Sequence, residues 1–148
     1  MEIRVGMKYA SPSGKNGCVF EVEEGNIKVY FNDNKSDVGS DTIKIFTKYF
    51  EKGSSKLLHY PYKVGDWVYD INDEYTKSHN TPKITQITKI NKECYYSRYC
   101  VNNESSGVNE EYFQLEYRPC FDYEIPGQKI KKESMTYLIK FLKKRGII

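Results

Sequence analysis

The sequence predicts a β-rich α+β fold, with one or two small antiparallel sheets followed by a C-terminal amphipathic helix. Two observations support this prediction. Short apolar segments with loosely alternating side chains recur between turn residues along most of the 148-residue chain, as they do in paired strands. The last twenty residues instead place Met135, Leu138, Ile139 and Leu142 at helical spacing, which predicts a helix from about 132 to 145.

Composition excludes several classes of protein. Apolar residues make up 39% of the chain, charged residues 29% and aromatic residues 15%, and a chain with so many rings can offset its ordering entropy by burial. No apolar segment approaches the roughly 20 residues of a membrane span, and the N-terminus lacks a charged-then-apolar signal segment. We therefore expect a cytoplasmic protein with no membrane partner.

Residues 1–56 are predicted to form a first module. Its clearest element is a β-hairpin, because residues 18–22 and 27–31 both alternate and are separated by a Glu-Glu-Gly-Asn turn. An earlier loop is expected at residues 12–17, and a polar loop at residues 32–42.

The end of this module fits two structures. A helix over residues 41–52, capped by Ser40 or Asp41, would place Ile43, Phe46 and Phe50 on one buried face. A strand through the same residues is the alternative, and the helix is slightly favoured. Gly53 would end that helix and begin the boundary between the modules.

Residues 57–128 are predicted to form a second module. After a polar excursion over residues 72–82, residues 84–90 carry apolar side chains three apart, which fits a helix or a bulged strand. Their threonines and β-branched residues favour the strand. Residues 93–101 are expected to return as its hairpin partner, and residues 112–117 to form a further strand.

The opening of the second module resembles a known family. Val64-Gly-Asp-Trp-Val-Tyr69, followed by the strand at residues 84–90, is similar to the start of small SH3-like β-barrel modules, in which a Gly-Asp turn leads into the first strand and a curved hairpin. The first module repeats this pattern more weakly from Val5-Gly. The resemblance implies a binding scaffold rather than a particular chemistry.

Residues 129–148 form a third, basic segment. Seven of them are cations and one is an acid, which gives a net charge of +6; the whole chain is +3, so the preceding 128 residues carry −3. We expect this helix to pack on the body, and Lys140, Lys143, Lys144 and Arg145 are candidate anion-binding residues. Helix-dipole stabilisation and solvation explain the same cations equally well.

No motif in the sequence predicts catalysis. Ser13-Gly-Lys15 lacks the earlier glycine and the following Ser or Thr of a phosphate-binding loop. Asp70, Asp73 and Glu74 lack the glycine and distal glutamate of a calcium loop. We therefore predict a non-enzymatic protein with no catalytic residue, cofactor or bound metal.

The histidines and cysteines support this prediction. His59 and His79 are isolated from any nucleophile motif or metal-ligand set, although a distant Cys-His pair remains open. The four cysteines lack zinc spacing, and reduced thiols are favoured over a bond between Cys94 and Cys100.

Tyrosine and tryptophan residues concentrate in two stretches of the second module. Outward rings would offer a partner large contact area at low entropy cost, whereas inward rings would fill the cores of small sheets. Most of the rings are expected to be core residues, and the remainder to bind a partner. The partner-binding candidates are Tyr62, Trp67, Tyr69, Tyr75, Tyr95, Tyr96 and Tyr99.

These observations together predict a small binding protein without catalytic activity. Asn, Lys, Ile and Tyr supply 56 residues, which indicates an A/T-rich gene such as that of a phage or mobile element of a low-GC bacterium. The expected partner is a host protein, and the specific hypothesis is inhibition of a host defence macromolecule. The alternatives are a nucleic-acid-binding module that uses the basic helix and a protein that binds a small ligand or nucleotide.

Overall fold

The structure is a computed structural model, and it describes residues 1–91, 98–101, 107–127, 139–140 and 142–146. The elements within these residues alternate between short strands and short helices. In chain order they are β1 Lys8–Ala10, β2 Asn16–Glu23, β3 Asn26–Phe31, β4 Asn34–Thr42, α1 Ile43–Glu51, β5 Lys56–His59, β6 Trp67–Asp70, α2 Asp73–His79, β7 Ile84–Ile90, β8 Tyr99–Val101, α3 Glu110–Glu116, β9 Tyr117–Pro119 and a 3-10 helix, Asp122–Glu124.

The first sheet is antiparallel, with the strand order β4-β3-β2-β1-β5. The predicted hairpin is confirmed as β2 and β3. Val19, Ile27 and Val29 are buried in the core, where the Tyr9 ring meets Phe46 of α1 edge-to-face at 4.9 Å. The apolar face of α1 therefore covers this sheet.

The polar loop predicted over residues 32–42 is wrong. Asn32 and Asp33 form a tight turn with positive φ, and β4 follows directly. The strand escaped notice because an edge strand with exposed side chains needs no apolar alternation. The helix favoured over residues 41–52 is confirmed as α1, and its N-cap is Thr42, whose Oγ1 accepts a hydrogen bond from the Ile45 amide at 3.3 Å.

The second sheet is also antiparallel, with the order β8-β7-β6-β9. The bulged strand predicted over residues 84–90 is confirmed as β7, with its irregularity between Ile87 and Lys89. Residues 99–101 of the expected hairpin partner form β8, whereas residues 92–97 lie outside the described residues.

Two further predictions in this region are wrong. The polar excursion over residues 72–82 contains α2, and the strand predicted over residues 112–117 is mostly α3. Asn109 caps α3 through a hydrogen bond from the Glu111 amide to its Oδ1, at 2.9 Å, and two glutamates in the first turn complement the helix dipole. Local capping therefore outweighed the strand-like alternation.

Neither sheet is a closed barrel. Within the described ranges, β4 and β5 are the edges of the first sheet, and β8 and β9 are the edges of the second. The closure implied by the SH3-like resemblance is therefore wrong for these strands, and the fold they form is an α+β arrangement of two open sheets.

One apolar core joins the two sheets. It includes Val19 and Ile27 from the first sheet and Val68 and Ile87 from the second. β5 begins at Lys56, crosses the boundary predicted after that residue and pairs with β1 of the first sheet. The two predicted modules therefore share a core, and their sheets divide the chain after residue 59.

Polar contacts also join the two sheets. The Arg4 guanidinium, before β1, contacts both carboxylate oxygens of Asp66, just before β6, at 2.5 and 2.7 Å. A paired guanidinium of this kind fixes orientation as well as distance. The Tyr60 hydroxyl instead ties the N-terminus to the end of β5, since it donates to the Glu2 carbonyl at 2.7 Å.

Most of the predicted C-terminal helix lies outside the described residues. Residues 139–140 and 142–144 are helical, and the packing of this segment on the body remains a prediction. None of the helices in the described part of the chain is long and apolar enough to cross a membrane.

Candidate functional site

Four exposed apolar side chains lie on and beside α2 and α3. Ile71 precedes α2, Tyr75 lies on α2, and Tyr112 and Leu115 lie on α3; their exposed fractions are 49%, 43%, 47% and 73%. We call these four residues the α2–α3 surface. Clustered exposed apolar side chains of this kind are typical of interaction sites.

The position of α3 explains why two of its apolar residues face outward. Phe113 is fully buried in the shared core. The side-chain amide of the neighbouring Gln114 pairs with the Tyr60 backbone as an adjacent strand would. Its Oε1 accepts a hydrogen bond from the Tyr60 amide, and its Nε2 donates one to the Tyr60 carbonyl, both at 2.9 Å. These two contacts fix the helix and leave Tyr112 and Leu115 on its other faces.

α2 is held by a local cap and by one buried side chain. Asn72 caps the helix by accepting a hydrogen bond from the Tyr75 amide at 3.1 Å, and Thr76 is buried beneath it. The Tyr75 ring stacks on His79 with centroids 4.1 Å apart. Because little rotamer freedom remains for Tyr75 to lose, a partner would bind it at a low entropic cost.

The two helices are linked to each other. The Ile71 amide donates to the Glu116 carbonyl at 2.9 Å, which joins the start of the α2 region to the end of α3. Partial burial raises the pKa of Tyr112, and Glu116, Asp70 and Tyr75 add to this shift by their proximity. The four apolar residues therefore form one surface rather than two.

Charged side chains of both signs surround this surface. Asp73, Glu74 and Glu111 are exposed, and Glu116 is half-buried. Asp73 binds the Lys83 ammonium at 2.7 Å, and this contact lowers the pKa of Asp73. Lys77 is exposed on α2 as well, so the surface is an apolar centre with a rim of both charges, as interfaces commonly have.

The predicted partner-binding aromatics are distributed differently. Tyr62 and Tyr99 lie in the core rather than at the surface. The Tyr62 ring meets those of Tyr60 and Phe113 edge-to-face, at 4.9 and 5.1 Å, and burial raises the pKa of Tyr62. The physical reason is that the small sheets need large rings to fill the space between them, so neither residue is available to a partner.

Trp67 and Tyr69 are half-buried on β6. The Arg118 guanidinium lies 4.3 Å from the Tyr69 ring and 4.5 Å from Phe121, and it forms two hydrogen bonds with Glu124, at 2.7 and 2.9 Å. Because Arg118 is already paired and stacked, this cluster is a structural element of the second sheet.

Tyr75 is thus the exposed member of the predicted aromatic set within the described residues. Tyr95 and Tyr96 lie outside those residues. Ile71, Tyr112 and Leu115 were not predicted as site residues. The overlooked signal for α3 was Asn109 followed by two glutamates, which is a helix start.

The candidate anion-binding residues are all exposed. Lys140, Lys143, Lys144 and Arg145 present their side chains to solvent. Cations need this exposure to reach phosphates, and it is equally expected of a solvated helix face.

The groups considered for catalysis are placed in ordinary environments. The Asp70 carboxylate is buried and accepts the Asn72 amide at 2.9 Å, while His79 stacks on Tyr75. Cys18, Cys100 and Cys120 are free thiols, and burial raises the pKa of Cys120 to about 12, which makes it a poor nucleophile at neutral pH. Cys94 lies outside the described residues.

Two further kinds of site concern metal ions and small ligands. Among the residues that the structure describes, no three His, Cys, Asp or Glu side chains are grouped as metal ligands. A depression of about 240 Å³ beside β3 is lined by Glu21, Glu23, Asn26, Ile27, Lys28 and Ser40. It is smaller and more polar than a usual ligand pocket.

The fold and the site define the chain as a β-rich α+β protein with an exposed helical surface. Comparison with known proteins found no family model, no curated protein and no solved structure that matches it.

Proposed function

We propose that this chain is a non-catalytic protein that binds another protein through the α2–α3 surface. The observation that supports it is the exposure of Tyr75, Tyr112 and Leu115 on two helices that bury Thr76 and Phe113 and are joined by the contact between Ile71 and Glu116. Tyrosines and a leucine on rigid elements, with charges at the rim, are features of an interface whose centre contributes most of the binding energy.

The proposed partner is a host protein in the bacterial cytoplasm. The abundance of Asn, Lys, Ile and Tyr, amino acids that A/T-rich codons encode, supports a phage or mobile-element origin, and the absence of a catalytic motif in the sequence supports action by occupying a surface. The specific form of the proposal is inhibition of a host defence macromolecule.

The test is quantitative affinity capture from lysate of a low-GC bacterium. The wild-type chain is compared with Leu115→Glu, which places a charge at the most exposed residue of the surface, and with Val64→Glu. Val64 is also exposed and apolar but lies in the turn before β6. We expect the partner to be retained by wild type and Val64→Glu and lost by Leu115→Glu.

Two results would contradict the proposal. One is equal recovery of every captured protein by Leu115→Glu and Val64→Glu. The other is repeated recovery of nucleic acid alone. Circular dichroism of each variant confirms that the fold is retained.

Nucleic-acid binding is the second candidate function, and the observation that favours it is the exposure of Lys140, Lys143, Lys144 and Arg145. A gel-shift titration at two salt concentrations tests it. Binding that weakens steeply with salt and is lost in Lys143→Glu/Lys144→Glu would support this function, and no binding at low salt would remove it.

A further inference from the structure

The open edge of the first sheet is unevenly protected against pairing. Among the described strands, β4 pairs with β3 along one side, and no strand pairs with it along the other side. Residues 35–37 have no opposite residue on β3, because the register shifts between Tyr30 and Phe31. Such a bulge, here with Lys35, is a usual protection of an edge. Residues 38–42 pair regularly with β3 and contain neither lysine nor proline.

The alternation of hydrogen-bonded residues along β4 shows which backbone amides and carbonyls of residues 38–42 face outward. The Ile43 amide donates to the Gly25 carbonyl at 3.0 Å, and bonding residues alternate along an antiparallel pair. Gly39 and Asp41 therefore bond to β3, whereas the amides and carbonyls of Val38, Ser40 and Thr42 point away. The Thr42 amide fits this alternation, but it already donates to its neighbour Asp41 Oδ1 at 2.8 Å, so Val38 and Ser40 supply the outward amides for a partner strand.

We propose that two copies of this chain associate by antiparallel pairing of residues 38–42, with a two-fold axis at Ser40. In this register Ser40 faces Ser40, and Val38, which is 51% exposed, faces Thr42 of the second copy. Both are β-branched side chains that pack well across strands.

The other side of the segment is compatible with this pairing. Asp41 of each copy faces Gly39 of the other, which has no side chain. A larger residue at position 39 would force its neighbours to shift, because a Cβ there would lie 2.9 Å from the Phe31 ring. A residue required by the monomer therefore also leaves space for the carboxylate of the second copy.

Charges at the two ends favour the antiparallel arrangement. Asp37 precedes the segment and Lys44 follows it, and both are exposed. Neither forms an ion pair with any residue that the structure describes. Antiparallel pairing about Ser40 brings Asp37 beside the start of α1 of the other copy, where Lys44 lies, and the symmetry forms this contact twice.

The interface is small, since it involves five residues and two flanking charges from each copy. Interfaces of this size are weak and transient. The dimer is therefore expected at high protein concentration, and it uses a surface distinct from the α2–α3 surface.

Sedimentation equilibrium up to the solubility limit, combined with amide exchange by NMR, tests the proposal. We expect a reversible dimer in which the Val38 and Ser40 amides gain protection with concentration while Gly39 and Asp41 do not change. Ser40→Pro removes an outward amide and should abolish dimerisation, whereas Ser40→Ala should not.

A charge exchange provides an independent test. Asp37→Lys and Lys44→Asp should each weaken the dimer about threefold to tenfold, and the double variant should restore it. Lys89→Asp, on the second sheet, should leave it unchanged. A chain that stays monomeric, a dimer that Ser40→Pro does not affect, or a double variant weaker than both single ones would overturn the proposal. If Ser40→Pro does not fold, the charge swap between Asp37 and Lys44 and the pattern of amide hydrogen exchange decide whether the dimer forms as proposed.

Discussion

α1 and α3 are both short helices capped by a polar residue, yet they contact the body of the protein in different ways. α1 places Phe46 in the core and packs Ile43 and Phe50 against it, so its attachment is apolar. α3 buries Phe113 and is otherwise attached by polar contacts, from the Gln114 amide to the Tyr60 backbone, from the Ile71 amide to the Glu116 carbonyl and from Arg98 to Glu110. A helix held by one buried ring and by polar contacts can expose Tyr112 and Leu115 without losing its position, which makes it suitable for an interface.

The largest expected effect on stability comes from substitution of Phe113, the buried ring of α3. Phe113→Ala should lower the free energy of unfolding by about 3–5 kcal/mol, because it removes a fully buried aromatic side chain from the shared core. Leu115→Ala, two residues away, should change it by less than about 0.5 kcal/mol. Urea denaturation of both variants measures the contrast, and similar losses would show that the exposed side of α3 is also structural.

The amide attachment of α3 is tested by Gln114→Ala. The Tyr60 amide and carbonyl would then lose their partners in a partly buried position, so we expect a loss of roughly 2 kcal/mol. Urea denaturation checks the value. Hydrogen exchange at the Tyr60 amide gives the specific readout, and an unchanged exchange rate there would show that another group satisfies it.

The packing of Tyr9 against α1 makes part of the stability of the protein depend on pH. Burial raises the pKa of Tyr9, which packs against Phe46, to about 12, while the unfolded value is about 10. The stabilisation by the neutral phenol is therefore complete below about pH 10 and declines between about 10 and 12, by about 1.4 kcal/mol per pH unit. Tyr9→Phe should show a shallower decline in denaturation at these pH values. An identical slope would place the ionisation elsewhere.

The smallest expected effect concerns the cap of α3. Asn109→Ala removes the side chain that accepts the Glu111 amide and should cost about 1 kcal/mol. Asn109→Asp, which retains the cap, is the matched control. If the α2–α3 surface depends on a rigid α3, partner capture should weaken with Asn109→Ala and not with Asn109→Asp.

The sequence predicted those elements whose periodicity has one interpretation. The β2–β3 hairpin and the buried face of α1 follow directly from apolar spacing. α3 was mistaken for a strand because Phe113, Leu115 and Tyr117 alternate, although Phe113 and Tyr117 are also four apart, as a helix requires. The spacing of these residues fits both a strand and a helix, and the cap at Asn109 favours the helix.

The candidate site was predicted less well. Of the α2–α3 surface, Tyr75 alone was a candidate. Local sequence could not separate it from Tyr62 and Tyr99, because a ring becomes buried through neighbours distant in the chain, such as Phe113. The contact between Ile71 and Glu116 likewise joins residues 45 positions apart, which no local pattern indicates.

The amide of Gln114 has a consequence for how far assembly can extend. It occupies the backbone at Tyr60, directly after β5, and α3 contacts that strand. The first sheet therefore offers β4 for pairing while a helix obstructs the opposite edge. Two copies joined through β4 would leave β5 as the remaining edge of each first sheet, and α3 lies beside that edge, so strand addition through this sheet would stop at two chains.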